Sequence, residues 1–185
     1  MSAPGKVRII AGKWRGRKLD VIDSPGLRPT PDRIRETLFN WLQQEIVAAR
    51  CLDLFAGTGA LGFEALSRGA SEVVMVESDV KIVESLKQHA QTFNSDNHTI
   101  QLADGLSWVK QGAQPFDIIF LDPPFQQGYI EKCCELIIQQ SLLKSHGLVY
   151  IESEKNLQLP DGWKIKKQKN AGQVQSVLAE LSKEA

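Results

Sequence analysis

Two loops in this chain combine residue types and spacings that can do chemistry. The first is Asp122-Pro-Pro-Phe125, which closes the apolar run Phe116-Asp-Ile-Ile-Phe-Leu121. Two consecutive prolines fix the backbone and remove two N–H donors. The loop therefore presents acceptors, the Asp122 carboxylate and the Pro123 carbonyl, with Pro124 stiffening the turn. An exocyclic amine has two hydrogens to donate; binding both fixes its plane and directs the nitrogen lone pair outward. Phe125 adds a ring face on which a nucleic-acid base can stack. The plainer reading is a rigid turn, against which stand the acid before the prolines and the aromatic after them.

The second loop is Asp53-Leu-Phe-Ala-Gly-Thr-Gly-Ala-Leu-Gly62. Its glycines let a backbone approach a ligand closely, and Gly57, Gly59 and Gly62 satisfy the G-x-G-x-x-G spacing. That spacing alone is weak evidence. Glu77, ending the next apolar run, can accept from both hydroxyls of a ribose, so any ligand carrying adenosine fits. Asp53 discriminates among them. A carboxylate there repels a pyrophosphate but holds the ammonium group of an aminoacyl ligand, which favours S-adenosylmethionine over NAD. Asp104, after a further weak strand, is placed to accept from the adenine amino group; its plainer role is to cap the helix that follows. The expected cofactor contacts are thus Asp53, Phe55, Gly57, Gly59, Glu77 and Asp104, with Asp122, Pro123, Pro124 and Phe125 as the catalytic loop. The chemistry is in-line methyl transfer, in which hydrogen bonds to Asp122 strengthen as positive charge grows on the accepting nitrogen.

The elements that must position these loops can be read from periodicity. Short apolar runs fall at Cys51–Phe55, Val73–Val76, Thr99–Leu102, Ile118–Leu121 and Leu148–Ile151. Amphipathic stretches lie between them at Ala60–Ser67, Val80–Thr92, Gly105–Lys110 and Ile130–Leu143. Short apolar strands with helical crossovers predict a parallel sheet covered on both faces. Trp163–Lys169 and Val174–Leu181 predict a closing antiparallel hairpin. Val7–Ile22 predicts a small N-terminal hairpin around a glycine turn. A linker with Pro25, Gly26 and Pro29 follows, then a helix that Thr30 caps and Pro31 begins, with Ile34, Leu38, Trp41 and Leu42 at helical spacing. The expected division is residues 1–42 as a basic, RNA-contacting extension and 43–185 as the catalytic domain.

Lys+Arg and Asp+Glu each number 22, a net charge of zero, which argues against gripping nucleic acid by bulk charge. The distribution is uneven, however. Met1–Leu19 carries Lys6, Arg8, Lys13, Arg15, Arg17 and Lys18 and no acid. Lys13, Arg15, Arg17, Lys18, Arg28 and Arg33, extended by Arg35, are the expected phosphate contacts, and Trp14 either stacks on an unpaired base or packs the hairpin. Lys164, Lys166, Lys167 and Lys169 form a second cluster, read either as RNA-binding or as an exposed strand face. A base reaching the cofactor must leave its stack, which favours a loop or strained RNA site. The three cysteines show neither disulfide nor zinc spacing, so a reducing compartment and no metal are expected. With no apolar run of membrane length, a cytoplasmic protein without a membrane partner is expected.

The order D-x-F-A-G-T-G, acid, aspartate, D-P-P-F resembles the class I S-adenosylmethionine-dependent amino-methyltransferases from about Cys51 to Ala185. That resemblance implies a Rossmann-like α/β fold with a seven-stranded, mostly parallel sheet. Arg8-Ile-Ile-Ala-Gly-Lys-Trp-Arg-Gly-Arg-Lys-Leu19 and Arg28-Pro-Thr-Pro-Asp-Arg-Ile-Arg-Glu-Thr-Leu-Phe-Asn-Trp-Leu42 extend it over nearly the whole chain. They are similar to the RsmD family of bacterial 16S rRNA guanine-N2 methyltransferases. The resemblance implies 16S rRNA, or a partly assembled 30S subunit, as substrate. Some other guanine-N2 enzymes carry N-P-P-Y where this chain has D-P-P-F, so the base rests on the N-terminal resemblance. An adenine-N6 DNA methyltransferase uses the same loop chemistry, although this chain has no sizeable insertion for reading DNA. A nicotinamide dehydrogenase would need a second domain and a catalytic His or Tyr-Lys arrangement. A non-catalytic RNA-binding module is opposed by the complete set of motif carboxylates.

Overall fold

The computed structural model describes residues 5–22, 30–124 and 128–182. The proline-rich linker with Arg28, and Phe125 of the catalytic loop, lie outside them. Strands β1 (Lys6–Arg8) and β2 (Lys18–Asp20) form an antiparallel pair joined through a 3₁₀ turn at Gly12–Trp14. Helix α1 (Asp32–Trp41) leads into an alternating series: β3 (Arg50–Asp53), α2 (Ala60–Ser67), β4 (Glu72–Glu77), α3 (Val80–Thr92), β5 (His98–Leu102), α4 (Gly105–Val109), β6 (Phe116–Leu121), α5 (Tyr129–Gln139) and β7 (Leu143–Glu154). The hairpin β8 (Trp163–Ala171) and β9 (Val174–Leu181) ends the series.

The large sheet has seven strands in the order β5-β4-β3-β6-β7-β9-β8. The five from β5 to β7 are parallel, and β9 and β8 are antiparallel to their neighbours. Alternate side chains of each central strand feed opposite layers. Cys51, Val73, Met75, Ile118 and Phe120 pack under α2, α3 and the N-terminal extension. Leu52, Val74, Val76, Ile119 and Leu121 pack under α4 and α5. Burial on both faces is why these strands read as continuous apolar runs.

The extension shares the first layer, with Val7, Ile9, Trp14 and Leu19 all buried within it. Its polar anchorage is also buried. The Glu64 carboxylate on α2 accepts from the amides of Ile10 (2.7 Å) and Ala11 (3.0 Å). The Ser67 hydroxyl donates to the Ala11 carbonyl and accepts from the Trp14 amide. Arg35 on α1, fully buried, donates to the Arg8 carbonyl and Asp32 and lies 3.6 Å from Glu64.

Three expectations need correction. Pro31, not Thr30, occupies the N-cap position of α1, so the Thr30 hydroxyl is released from capping. Helix α5 ends at Gln139, and β7 begins at Leu143 rather than Leu148. Main-chain pairing of Leu143 with Phe116 starts that strand before its apolar run does. Arg35 is no surface cation; it is a fully buried partner of Asp32 and Glu64.

Candidate active site

In an open parallel sheet, ligands bind at the carboxyl ends of the strands where the strand order reverses. Here that point lies between β3 and β6, which are neighbours although β4 and β5 intervene in the chain. Four adjacent strands bring one carboxylate each to this edge: Asp104 after β5, Glu77 on β4, Asp53 on β3 and Asp122 after β6.

Asp53 is buried, and its carboxylate accepts from the Gly62 amide at 3.0 Å. A Cβ at Gly62 would sit 2.8 Å from the Met75 sulfur and 3.2 Å from the Asp53 carboxylate, so this approach requires glycine. Gly59 turns the chain into α2 with φ of +75°, where a Cβ would also collide with Leu86 and Phe63. Burial raises the Asp53 carboxyl to about 7 against the pull of the Gly62 hydrogen bond, with Asp122 and Glu77 adding repulsion. Glu77 accepts from the amides of Gly57 (2.9 Å), Ser78 (2.7 Å) and Asp79 (2.9 Å), which fixes its carboxylate at the mouth of the glycine loop. Asp104 caps α4 by accepting from the Ser107 amide at 2.9 Å, so the plainer role proposed for it exists.

Pro123 is buried and Pro124 exposed. Asp122 accepts from the Thr30 hydroxyl at 2.9 Å, and burial raises its carboxyl to about 6 against that hydrogen bond. Thr30 is itself buried. Periodicity could not reveal this link, because it joins residues 92 positions apart. A second unforeseen neighbour is Tyr129, whose ring lies edge-on to Phe55 with centroids 5.5 Å apart. Its only sequence signal is its place soon after the D-P-P-F loop.

Asp53 and Asp122 thus stand at neighbouring strand ends, where burial makes their charge costly. Among the described residues, no lysine or arginine forms an ion pair with either. Asp53, beside the glycine loop, would favour a cationic ligand. S-adenosylmethionine, with its ammonium and sulfonium groups, fits that requirement; a pyrophosphate does not. Asp53 would hold the aminoacyl end and Glu77 the ribose, with Phe55 as a further contact.

Lys13, Arg15, Arg17 and Lys18 are exposed on the N-terminal extension, and Arg33 is exposed on α1. The Arg17 guanidinium also donates to the Thr92 carbonyl at 3.0 Å, tying the extension to the end of α3. Trp14 settles to its packing alternative. It is 5% exposed, with its ring 5.0 Å from that of Phe93 and 6.4 Å from that of Phe63, so no face is open to a base. In the second basic cluster, Lys166 pairs with Glu180, and Lys169 donates to the Thr37 hydroxyl on α1. No group of His, Cys, Asp and Glu among the described residues is arranged to hold a metal. No helix among them is long and apolar enough to cross a membrane.

Comparison with known proteins adds to this geometry. A family model described as conserved hypothetical protein 95 matches residues 7–180. The chain is 46% identical over 176 residues to ribosomal RNA small subunit methyltransferase D of Escherichia coli K12, covering 94% of this chain and 89% of that protein. It is 46% identical over 177 residues to the protein of the same name from Haemophilus influenzae, covering 92% of each. The solved structure of yhhF from Escherichia coli superposes with a TM-score of 0.89 at 42% identity, covering 96% of this chain and 98% of that one.

Proposed function

From the chain's membership in the RsmD family, we propose that it methylates the exocyclic N2 amine of a guanine in 16S ribosomal RNA during small-subunit assembly. The protein is a methyltransferase of Rossmann-like fold, and S-adenosylmethionine is its methyl donor. When bound, that donor supplies a methyl group already activated on a sulfonium. The chain's own residues have mainly to bind, align and exclude water.

The observation that carries this reading is the pair Asp53 and Asp122 at neighbouring strand ends, one beside the glycine loop and the other followed by two prolines. Asp53 holds the cationic end of the donor while Glu77 accepts from the ribose. Asp104 accepts from the adenine amine with the carboxylate capacity that its cap bond leaves over. Asp122 and the Pro123 carbonyl accept the two hydrogens of the target amine, and Pro124 keeps the turn rigid. Phe125 supplies the stacking face for the base. As the nitrogen gains positive charge the Asp122 hydrogen bond strengthens, which favours the transition state over the bound substrate. The methylated nitrogen then gives its excess proton to water, so no strong general base is required.

Residues 1–42 form the RNA-contacting part in this proposal and 43–185 the catalytic part. Lys13, Arg15, Lys18, Arg28 and Arg33 contact phosphates, with Arg17 dividing its donors between RNA and Thr92. The choice of ribosomal RNA follows the relatives' names, and the choice of guanine follows the N-terminal resemblance. The same acceptor loop suits an adenine N6 amine, and the test separates the two. Radiolabelled S-adenosylmethionine is offered with 30S particles lacking base methylation, with naked 16S rRNA and with adenine-rich duplex DNA. Label recovered as N2-methylguanine from the RNA is the expected outcome. Label recovered only from DNA, as N6-methyladenine, would sink the ribosomal assignment and leave the amine chemistry standing.

A further inference from the structure

We propose that Thr30 is a positioning residue for this reaction, its hydroxyl holding one oxygen of the Asp122 carboxylate and leaving the other to accept the target amine. The inference rests on the amine-methylation reading above and deepens it.

The geometry is specific. Thr30 is 6% exposed and donates to Asp122 at 2.9 Å across 92 residues of sequence. A threonine just ahead of a helix ordinarily caps it. Here Pro31 takes the cap position and the first turn closes on the Pro31 carbonyl, to which the amides of Ile34 and Arg35 donate. The hydroxyl is therefore available to the carboxylate.

Helix α1 cannot easily withdraw it. Asp32, two residues on, is paired with Arg8 and Arg35, and Arg35 is buried against Glu64. The N-terminal extension and α2 thus fix the residue that fixes the carboxylate. An aspartate after two freely rotating bonds has many orientations, only some of which accept from an amine in the required plane. Holding one oxygen removes most of them before substrate arrives.

The same bond favours the ionised acceptor, since a hydroxyl donating to a carboxylate stabilises its charged form. Among the described residues, Asp53 on β3 repels Asp122, and Tyr150 on β7 feels its charge while donating to the Glu152 carboxylate and accepting from the Ser176 hydroxyl. On α1, Asp32 and Arg35 are engaged with each other and with Arg8 and Glu64. Burial holds the Asp122 carboxyl at about 6 even with the Thr30 bond in place. Without that bond it titrates higher, and the carboxylate is protonated over more of the neutral range.

The test compares wild type, Thr30→Val and Thr30→Ser for methyl transfer to RNA across pH 5.5–8.5, with S-adenosylmethionine affinity and thermal unfolding measured on each. Thr30→Val is expected to lower kcat by about ten- to hundredfold, the worth of one hydrogen bond to a charged group. Its acidic limb should move to higher pH, on the order of one unit. Thr30→Ser should restore both, and cofactor affinity should stay close to wild type in all three. A purely structural Thr30 would lower the unfolding temperature of Thr30→Val and leave the pH profile of kcat in place, which would overturn the inference. So would a Thr30→Val rate equal to or above wild type, which would show the bond competing with the amine. If wild type itself transfers nothing to RNA or to DNA, the amine reading falls and this inference with it. Transfer by wild type with an unaltered Thr30→Val profile sinks only the role of Thr30.

Discussion

At the scale of single residues, the site is organised around carboxylates kept where charge is costly. The folded protein raises the Asp53 carboxyl from its ordinary range to about 7 and that of Asp122 to about 6, burial being the main cause in both. A carboxyl raised by folding contributes stability that is complete below its unfolded value near 3.8 and is lost as pH rises through the folded value. The ligand-free protein should therefore be more stable at pH 5 than at pH 8 on account of this pair. Cofactor affinity should run the other way, rising with pH through about 7 as Asp53 ionises against a cationic ligand. Asp53→Asn tests both signs. It is expected to weaken S-adenosylmethionine binding, to flatten its pH dependence in calorimetric titrations, and to raise the unfolding midpoint at pH 8 by about a few degrees. Asp122→Ala should differ from it, abolishing transfer while leaving cofactor affinity nearly intact in the same titration. Loss of cofactor binding in Asp122→Ala would mean that this carboxylate serves the donor rather than the amine.

At the scale of elements, periodicity revealed what burial imposes and missed what hydrogen bonding imposes. Ala60–Ser67 and Val80–Thr92 are helices over the very spans the sequence marks, but only α3 sets one face on the sheet and leaves the other open; every residue of α2 is buried, because the N-terminal extension packs on it as well. The opening residues of β7 did not show themselves, since the main-chain pairing of Leu143 with Phe116 leaves no trace in side-chain pattern. The motif carboxylates were legible as a set because each follows an apolar run. Thr30, Tyr129 and the Glu64 anchorage were not, because each depends on a partner distant in sequence or on packing that no local pattern records. Glu64 shows how much that anchorage matters. Its two oxygens serve the Ile10 and Ala11 amides and the Arg68 side chain, and it stands beside fully buried Arg35. Removing one partner of such a set leaves buried charge and donors unsatisfied. Glu64→Ala should cost about 3–5 kcal/mol in denaturant unfolding, and hydrogen exchange at the Ile10 and Ala11 amides should quicken. Unchanged exchange there would mean that the extension is held by apolar packing alone.

At the scale of the whole molecule, a chain with zero net charge distributes its charge unevenly, with six basic residues and no acid over Met1–Leu19. Replacing Lys13, Arg15 and Lys18 together by Ala should weaken RNA binding and reduce the slope of log affinity against log salt by about two to three. Arg17 is spared in that variant because it also donates to Thr92. An unchanged slope would take the extension off the RNA-binding face. The way the extension is attached has a further consequence, for the order of events during synthesis. The bonds from Ile10 to Glu64 and from Thr30 to Asp122 close loops of 54 and 92 residues. The extension therefore cannot dock until α2 has been made, and Asp122 acquires its Thr30 partner only after β6 emerges. Until then, Trp14 and its apolar neighbours on the extension have no layer to enter. The basic residues that interrupt them help keep the nascent segment soluble while it waits.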